Sequence, residues 1–349
     1  MGNSNICDSE DIRKFRNRQK NRNIFNIDCH KEDNNFSKEI IGFQNIGNSC
    51  YINSFLQILL HCPGFINELK NEKINEKLIN ILINLKENPD KDYEYLNSIK
   101  DYMKSVNPSY GTFNQGDSQL FGKYLIDEVI KCIKGNSSFL SDYENINLEE
   151  KEKKYNHYIN LYQQNEIGLE KMFLVNEIRY KYNSNKLIDI SFNSIIDIQL
   201  TFPTNNGKLY TLEDLLELKY NNNKYVGKNK NRITKRICKL PKILIFTISR
   251  AILNQKLNQS KLLFPEALNV KNYIEYIRNE RFKEWNNTNY KLFAINLKKG
   301  HSQYSGHCCC YIIINNNWYL FNDKEVLIEK PNFTSENVVG LFYKESKKI

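Results

Sequence analysis

No run of about 18 or more apolar residues occurs in this 349-residue chain, so a membrane-spanning helix is not expected. The first 30 residues also lack the apolar centre of a secretory signal, which points to an intracellular protein, cytoplasmic and open to a nuclear location. None of the nine cysteines, at positions 7, 29, 50, 62, 132, 238, 308, 309 and 310, belongs to a CxxC pair, so the usual spacing of a structural zinc site is missing. Their odd number and irregular spacing argue against a disulfide framework and fit a reducing compartment. The net charge of +10 comes with a general excess of Lys, Asn and Ile and not with a basic stripe interleaved with aromatics, so nucleic acid is not an expected partner. Met1-Gly2 is followed by Ile6 where an acylation signal requires Ser or Thr, and that reading is set aside.

What is present begins after residue 40. Residues 1–40 are polar and charged without sustained periodicity and read as a disordered basic tail. Arg13, Lys14, Arg16, Arg18, Lys20 and Arg22 form a cluster within it, a solvated stretch first and a nuclear address or acidic-partner contact second. The remainder, 41–349, is long enough for a substantial core.

The stretch 42–60, GFQNIGNSCYINSFLQILL, sets Cys50 at the mouth of a helix. Ile52, Phe55, Leu56, Leu59 and Leu60 fall on one helical face, and Pro63 and Gly64 end it. Gly42 and Gly47 relax the backbone ahead of the helix, and Asn48 and Ser49 are capping residue types. A helix N-terminus favours thiolate over thiol, and the thiolate is the nucleophile. On this stretch alone, a small inert core residue explains Cys50 equally well.

Further on, residues 65–107 carry helical spacing at Ile74, Leu78, Ile81, Leu82 and Leu85, which core packing explains. Residues 111–130, GTFNQGDSQLFGKYLIDEVI, read as another helix begun by Asp117 or Ser118, with Asp117 as cap before cleft carboxylate. The stretch 140–165 reads as a surface helix or connection. Alternating β-branched residues over 177–202 predict a hairpin, 211–220 a helix capped by Thr211, and 240–251 a strand buried on both faces. In the last hundred residues, strands are expected at 290–297, 308–314, 318–323 and 338–343, forming an antiparallel meander.

In that meander His307 enters one strand and Asn322 leaves the next, so a shared rim brings them together. A carboxamide beside an imidazole fixes the ring's tautomer, as cysteine proteases require. His301 is the neighbouring histidine. An isolated glycine-flanked histidine is more often a loop residue, but Cys50, His307 and Asn322 together fill three catalytic roles.

The stretch 42–60 is similar to the Cys box of the ubiquitin-specific protease family of papain-like cysteine proteases. YKLFAINLKKGHSQYSGHCCCYIIINNNWYLFNDKEV, residues 290–326, resembles its His box. NQGDSQLF at 114–121 and the segments 240–251 and 261–270 resemble weaker boxes, in the family's order, over about 41–345. The resemblance implies an α+β, papain-like fold with helical thumb, antiparallel β palm and β fingers, the last without a zinc site. It implies a deubiquitinase that needs no cofactor and acts on ubiquitin and ubiquitinated proteins, cleaving after ubiquitin's C-terminal glycine. Cys50 would attack, His307 would serve as base and then acid, and Asn322 would orient His307, with Asp323 a second polar support. Asn45 matches the oxyanion-stabilising position, and Asp117 a carboxylate that meets an arginine of ubiquitin's tail. Gln115, Gly306 and His301 complete the expected substrate-binding set.

Three departures stand out. Cys308 replaces the aromatic residue expected after Gly306-His307, a glutamate expected near Leu120 is absent, and the finger segments 177–202 and 219–236 hold no paired cysteines, with Tyr180 and Tyr182 there instead. A protease for another ubiquitin-like modifier and a catalytically weak ubiquitin-binding module are the alternative readings.

Overall fold

A computed structural model describes residues 40–72, 74–108, 116–135, 166–183, 186–203, 207–221, 224–226, 231–252, 256–275, 287–300, 302 and 305–346. The basic tail, Gln115, His301 and the stretch 140–165 lie outside the described residues.

The first half is helical: α1 (Cys50–Leu60), α2 (Phe65–Asn71), α3 (Lys77–Glu87), α4 (Asp92–Val106), α5 (Ser118–Lys134) and α6 (Gly168–Phe173). The single helical pattern of 65–107 is thus three helices, and Ile74 sits ahead of α3. Every residue of α1 is buried, which suits its mean apolarity and places it at the centre of the helical layer. Asp117 caps α5 by accepting from the Gln119 and Leu120 N–H groups at 2.8 and 2.9 Å.

Strands dominate the second half: β1 (Val175–Asn183), β2 (Lys186–Ile195), β3 (Ile198–Thr201), β4 (Leu209–Thr211), then α7 (Leu212–Tyr220), β5 (Lys224–Val226), β6 (Asn231–Lys239), β7 (Ile243–Ser249), β8 (Lys261–Leu263), β9 (Ala267–Asn269), β10 (Asn289–Lys299), β11 (His307–Ile314), β12 (Asn317–Asn322), β13 (Glu325–Ile328), β14 (Thr334–Ser335) and β15 (Val338–Glu345). Thr211 and Asp214 close a reciprocal capping box at α7, at 3.0 and 2.7 Å.

The main sheet runs β13-β12-β11-β10-β15-β7-β3, with β9 also on β10. Two features depart from the sequence reading. The strand at 338–345 returns to pair with β10, and the fourth strand of the meander is Glu325–Ile328, which is too short and too polar at its start to stand out alone. The palm is also not wholly antiparallel, because β3 pairs β7 in parallel.

Both faces of this sheet are covered, and alternate residues divide between them. Ile243, Ile245, Cys308, Cys310, Ile312 and Phe342 pack toward the helices, while Leu244, Phe246, Cys309, Tyr311, Leu341 and Tyr343 pack toward α7 and the small sheet β14-β8-β4. Each fully buried large side chain contributes roughly 1.5–3 kcal/mol. The fingers are the antiparallel sheet β2-β1-β6-β5. At their base Glu177 is buried and accepts from the Tyr220 hydroxyl at 2.7 Å, with Lys219 and Lys235 beside it. Ile178, Tyr180, Ile190 and Cys238 form their own apolar cluster. Helical thumb, β palm and β fingers are the architecture expected of a papain-like fold.

Candidate active site

Cys50 is the first residue of α1 and is 4% exposed. The chain reaches it through a tight polar turn. The Asn45 Oδ1 accepts from the N–H groups of Gly47 and Ser49, at 3.0 and 3.3 Å, and from the Ser49 hydroxyl at 3.3 Å. The same hydroxyl accepts from the Ile46 N–H at 2.9 Å. Ser49 therefore spends its side chain on the loop behind it and makes no side-chain cap on α1, contrary to the capping expected of it. Gly47 (φ +96°) and Asn48 (φ +48°) take left-handed backbone in this turn. A Cβ on Gly47 would meet nothing within 4 Å, whereas one on Gly42 would collide with the carbonyl oxygens of Asp323 and Lys324. Gly42 is where the Cys50 segment passes against the palm.

The partners of Cys50 come from β11 and its neighbour. His307 opens β11, and its Nε2 lies 2.5 Å from the Asn322 Oδ1 at the end of β12. The ring also hydrogen-bonds the Cys50 side chain. Because an amide oxygen only accepts, Nε2 carries the proton and Nδ1 is the nitrogen presented to Cys50. Asn322 in turn donates from Nδ2 to the Glu325 Oε2 at 3.2 Å.

Electrostatics favour a thiolate–imidazolium pair. The Cys50 thiol is held well below its ordinary value, first by a hydrogen bond from Cys308, against burial, and then by the hydrogen bond and charge of His307. Burial pulls the His307 imidazole down, yet its hydrogen bonds to Cys50 and Asn322 and the charges of Cys50 and Asp323 leave it raised overall. Cys308 is pushed well above the thiol range by its bond to Cys50 and by burial, so it keeps its proton and donates. The residue that departs from the family pattern thus touches the nucleophile.

Asp323 acts on His307 through its charge and makes its hydrogen bonds elsewhere. Its carboxylate accepts from the Asn45 Nδ2 at 2.9 Å and the Asn53 Nδ2 at 2.8 Å, while the ring nitrogens of His307 face Asn322 and Cys50. It stands in left-handed backbone (φ +51°), and burial raises its pKa against those two hydrogen bonds. Asp117 is exposed and occupies its Oδ1 in capping α5. Gly306 precedes His307 with φ +144°, and a Cβ there would collide with the Lys299 carbonyl.

Three contributors were missed from sequence. Asn53 also donates to the Gln44 carbonyl at 3.1 Å, and Gln57 donates to the Ile41 carbonyl at 2.8 Å, so α1 grips the segment leading to its own N-terminus. The signal was Asn53 and Gln57, a long polar pair at i, i+4 in a largely apolar helix. Glu325 is the third, three residues after Asn322 across a tight turn. Among the described residues no group of three or more His, Cys, Asp or Glu side chains is arranged to hold a metal ion.

The sequence profile described as ubiquitin carboxyl-terminal hydrolase matches residues 41–343. The chain is 25% identical over 334 residues to ubiquitin carboxyl-terminal hydrolase 48 of Danio rerio, covering 86% of this chain and 28% of that protein. It is 26% identical over 152 residues to hydrolase 1 of Bos taurus, covering 32% of this chain and 18% of that protein, so it spans less than a third of either relative. Hydrolase 4 of Arabidopsis thaliana is 23% identical over 340 residues, with 88% of each covered. Among solved structures, the SAGA Ubp8/Sgf11/Sus1/Sgf73 DUB module bound to ubiquitin aldehyde superposes with a TM-score of 0.66 at 18% identity, over 89% of this chain and 70% of that one. The chain belongs to the ubiquitin carboxyl-terminal hydrolase family, the ubiquitin-specific proteases that its Cys and His boxes resemble.

Proposed function

We propose that this chain is a thiol-dependent deubiquitinase that hydrolyses the isopeptide or peptide bond after the C-terminal glycine of ubiquitin. The observation that carries the reading is the contact of the Cys50 thiol with a His307 ring whose far nitrogen is tied to Asn322. The Cys50 thiolate attacks the glycine carbonyl carbon. The oxyanion so formed is met by the Cys50 backbone N–H and by the Asn45 Nδ2, which Asp323 holds in place. His307 passes its Nδ1 proton to the departing lysine amine, leaving ubiquitin as a thioester on Cys50. With the amine gone, His307 takes a proton from water, hydroxide attacks the thioester, and Cys50 leaves as thiolate.

Asp117 keeps an exposed carboxylate at the start of α5 and is the proposed contact for an arginine of the substrate tail, with Gln115, Gly306 and His301 as further substrate contacts. The exposed Leu120 (49%), standing where the family pattern expects glutamate, favours a second reading, a protease for another ubiquitin-like modifier. The proposed location is cytoplasmic, with the nucleus open to it; the seven described cysteines are all free, and among the described residues no helix is long and apolar enough to cross a membrane.

The test is turnover of ubiquitin carrying a fluorogenic C-terminal amide, beside the same reporter on other ubiquitin-like modifiers. The wild type should release the fluorophore from ubiquitin and Cys50→Ala should not. Release from a different modifier alone would select the second reading, and release from none would defeat both.

A further inference from the structure

A side-chain amide is a weaker choice than a carboxylate for orienting a histidine, because it has two different ends. With its oxygen toward His307, Asn322 accepts from Nε2–H and leaves Nδ1 basic toward Cys50. Turned over, it would present its NH2 group to Nε2, force the proton onto Nδ1 and disable the base. Something must select the orientation.

The candidate is Glu325. Asn322 and Glu325 are directly paired across the two-residue turn Asp323-Lys324, so their side chains lie side by side. The Asn322 Nδ2 donates to the Glu325 Oε2 at 3.2 Å, and its Oδ1 faces the His307 Nε2 at 2.5 Å. A carboxylate can only accept, so it is satisfied by the NH2 end alone and opposes the oxygen end. The chain of donors runs one way, from His307 Nε2–H to Asn322 Oδ1 and from Asn322 Nδ2–H to Glu325. Glu325 is exposed, with no buried side chain to fill a packing role.

We infer that Glu325 is a positioning residue that fixes the amide orientation of Asn322, and through it the Nε2–H tautomer of His307. This inference rests on the proposed catalytic roles of His307 and Asn322 for its kinetic consequences, and on the geometry alone for the tautomer.

Two readouts keep these apart. The first is the 15N NMR signature of the His307 ring nitrogens, read above the pH of its titration. Wild type should show protonated Nε2, and E325A should lose that preference. The second is kcat on fluorogenic ubiquitin. E325A should lower it about five- to tenfold, as expected for losing one hydrogen bond to a charged acceptor at an exposed site, with KM and thermal midpoint little changed. E325Q, whose amide has a donor end as well as an acceptor end, should select the orientation less firmly and fall between wild type and E325A in both readouts. In an N322D background the effect should vanish or reverse sign, because there Glu325 faces a second carboxylate. The inference is overturned if E325A keeps the wild-type tautomer and kcat, or if E325A lowers kcat equally in the Asn322 and N322D backgrounds. Failure of wild type to cleave ubiquitin would defeat the functional proposal and leave the tautomer measurement to decide the role of Glu325.

Discussion

The two walls of the cleft are held by different forces. On the Cys50 side all eleven residues of α1 are buried, and Phe55 packs edge-on against Phe342 from β15 with ring centroids 5.7 Å apart. On the His307 side the residues that matter cluster at a hairpin rim, where Asn322 and Asp323 are half-buried and Lys324 and Glu325 exposed. There the geometry comes from side-chain hydrogen bonds: His307 to Asn322, Asn322 to Glu325, and Asn45 and Asn53 to Asp323. The helix that carries the nucleophile is therefore placed by the same burial that folds the domain, whereas the Asn45 turn ahead of it and the base are placed by a network that contributes little to folding. Damage to one wall should appear as instability, and damage to the other as slow chemistry in a stable protein.

The largest expected effect lies in the packed wall. Phe55→Ala should cost about 3–5 kcal/mol of stability by urea denaturation, since the ring has too many fixed neighbours for the site to collapse. Asn45→Ala comes next: kcat should drop on the order of 10²- to 10³-fold, through loss of the oxyanion donor and loosening of the Asn45 turn, with a much smaller change in denaturation midpoint. Asn322→Ala should lower kcat by about 10²-fold while sparing ubiquitin affinity, measured by single-turnover kinetics beside binding to the Cys50→Ala protein. If instead Asn322→Ala mainly lowered the denaturation midpoint, the contrast between the walls would break.

Cys308→Ala sharpens the contrast at the point where the walls meet. Its S–H group is the first cause of the lowered Cys50 pKa, so removing it destabilises the thiolate. The inflection of iodoacetamide alkylation against pH should move upward, toward an ordinary thiol, and an unmoved inflection would show that His307 alone sets it. The smallest effect is expected from a chelator, which should leave the melting temperature and turnover unchanged, because the finger segments carry no paired cysteines to hold zinc.

Much of the packed interior was legible from residues alone. The spacing of Ile52, Phe55, Leu56, Leu59 and Leu60 marks α1, and the Thr211 box and the run at 243–249 appear where their local chemistry puts them. His307 and Asn322 were also legible, because strand ends at a shared rim are a local matter of counting. What escaped depends on pairings between distant segments. The return of β15 onto β10 and the parallel joining of β3 to β7 leave no periodic trace, since a strand buried on both faces reads the same whatever its neighbour. Asp323 reads from sequence as a second polar support behind Asn322, and its hold on Asn45 and Asn53 does not, a partnership set by how closely Gly42 lets the two walls approach. Ser49 was expected to cap α1, and the Asn45 turn claims its hydroxyl first.

Cys50 and Cys308 lie within hydrogen-bonding reach of one another, so the identity of the nucleophile is a question of which sulfur carries the charge. The direct measurement is to react the protein with ubiquitin bearing a C-terminal electrophile and to locate the bond by peptide mass spectrometry. A single ubiquitin on Cys50, lost in Cys50→Ala and kept in Cys308→Ala, is the predicted result. Attachment at Cys308, or no adduct with the folded wild type, would contradict the account.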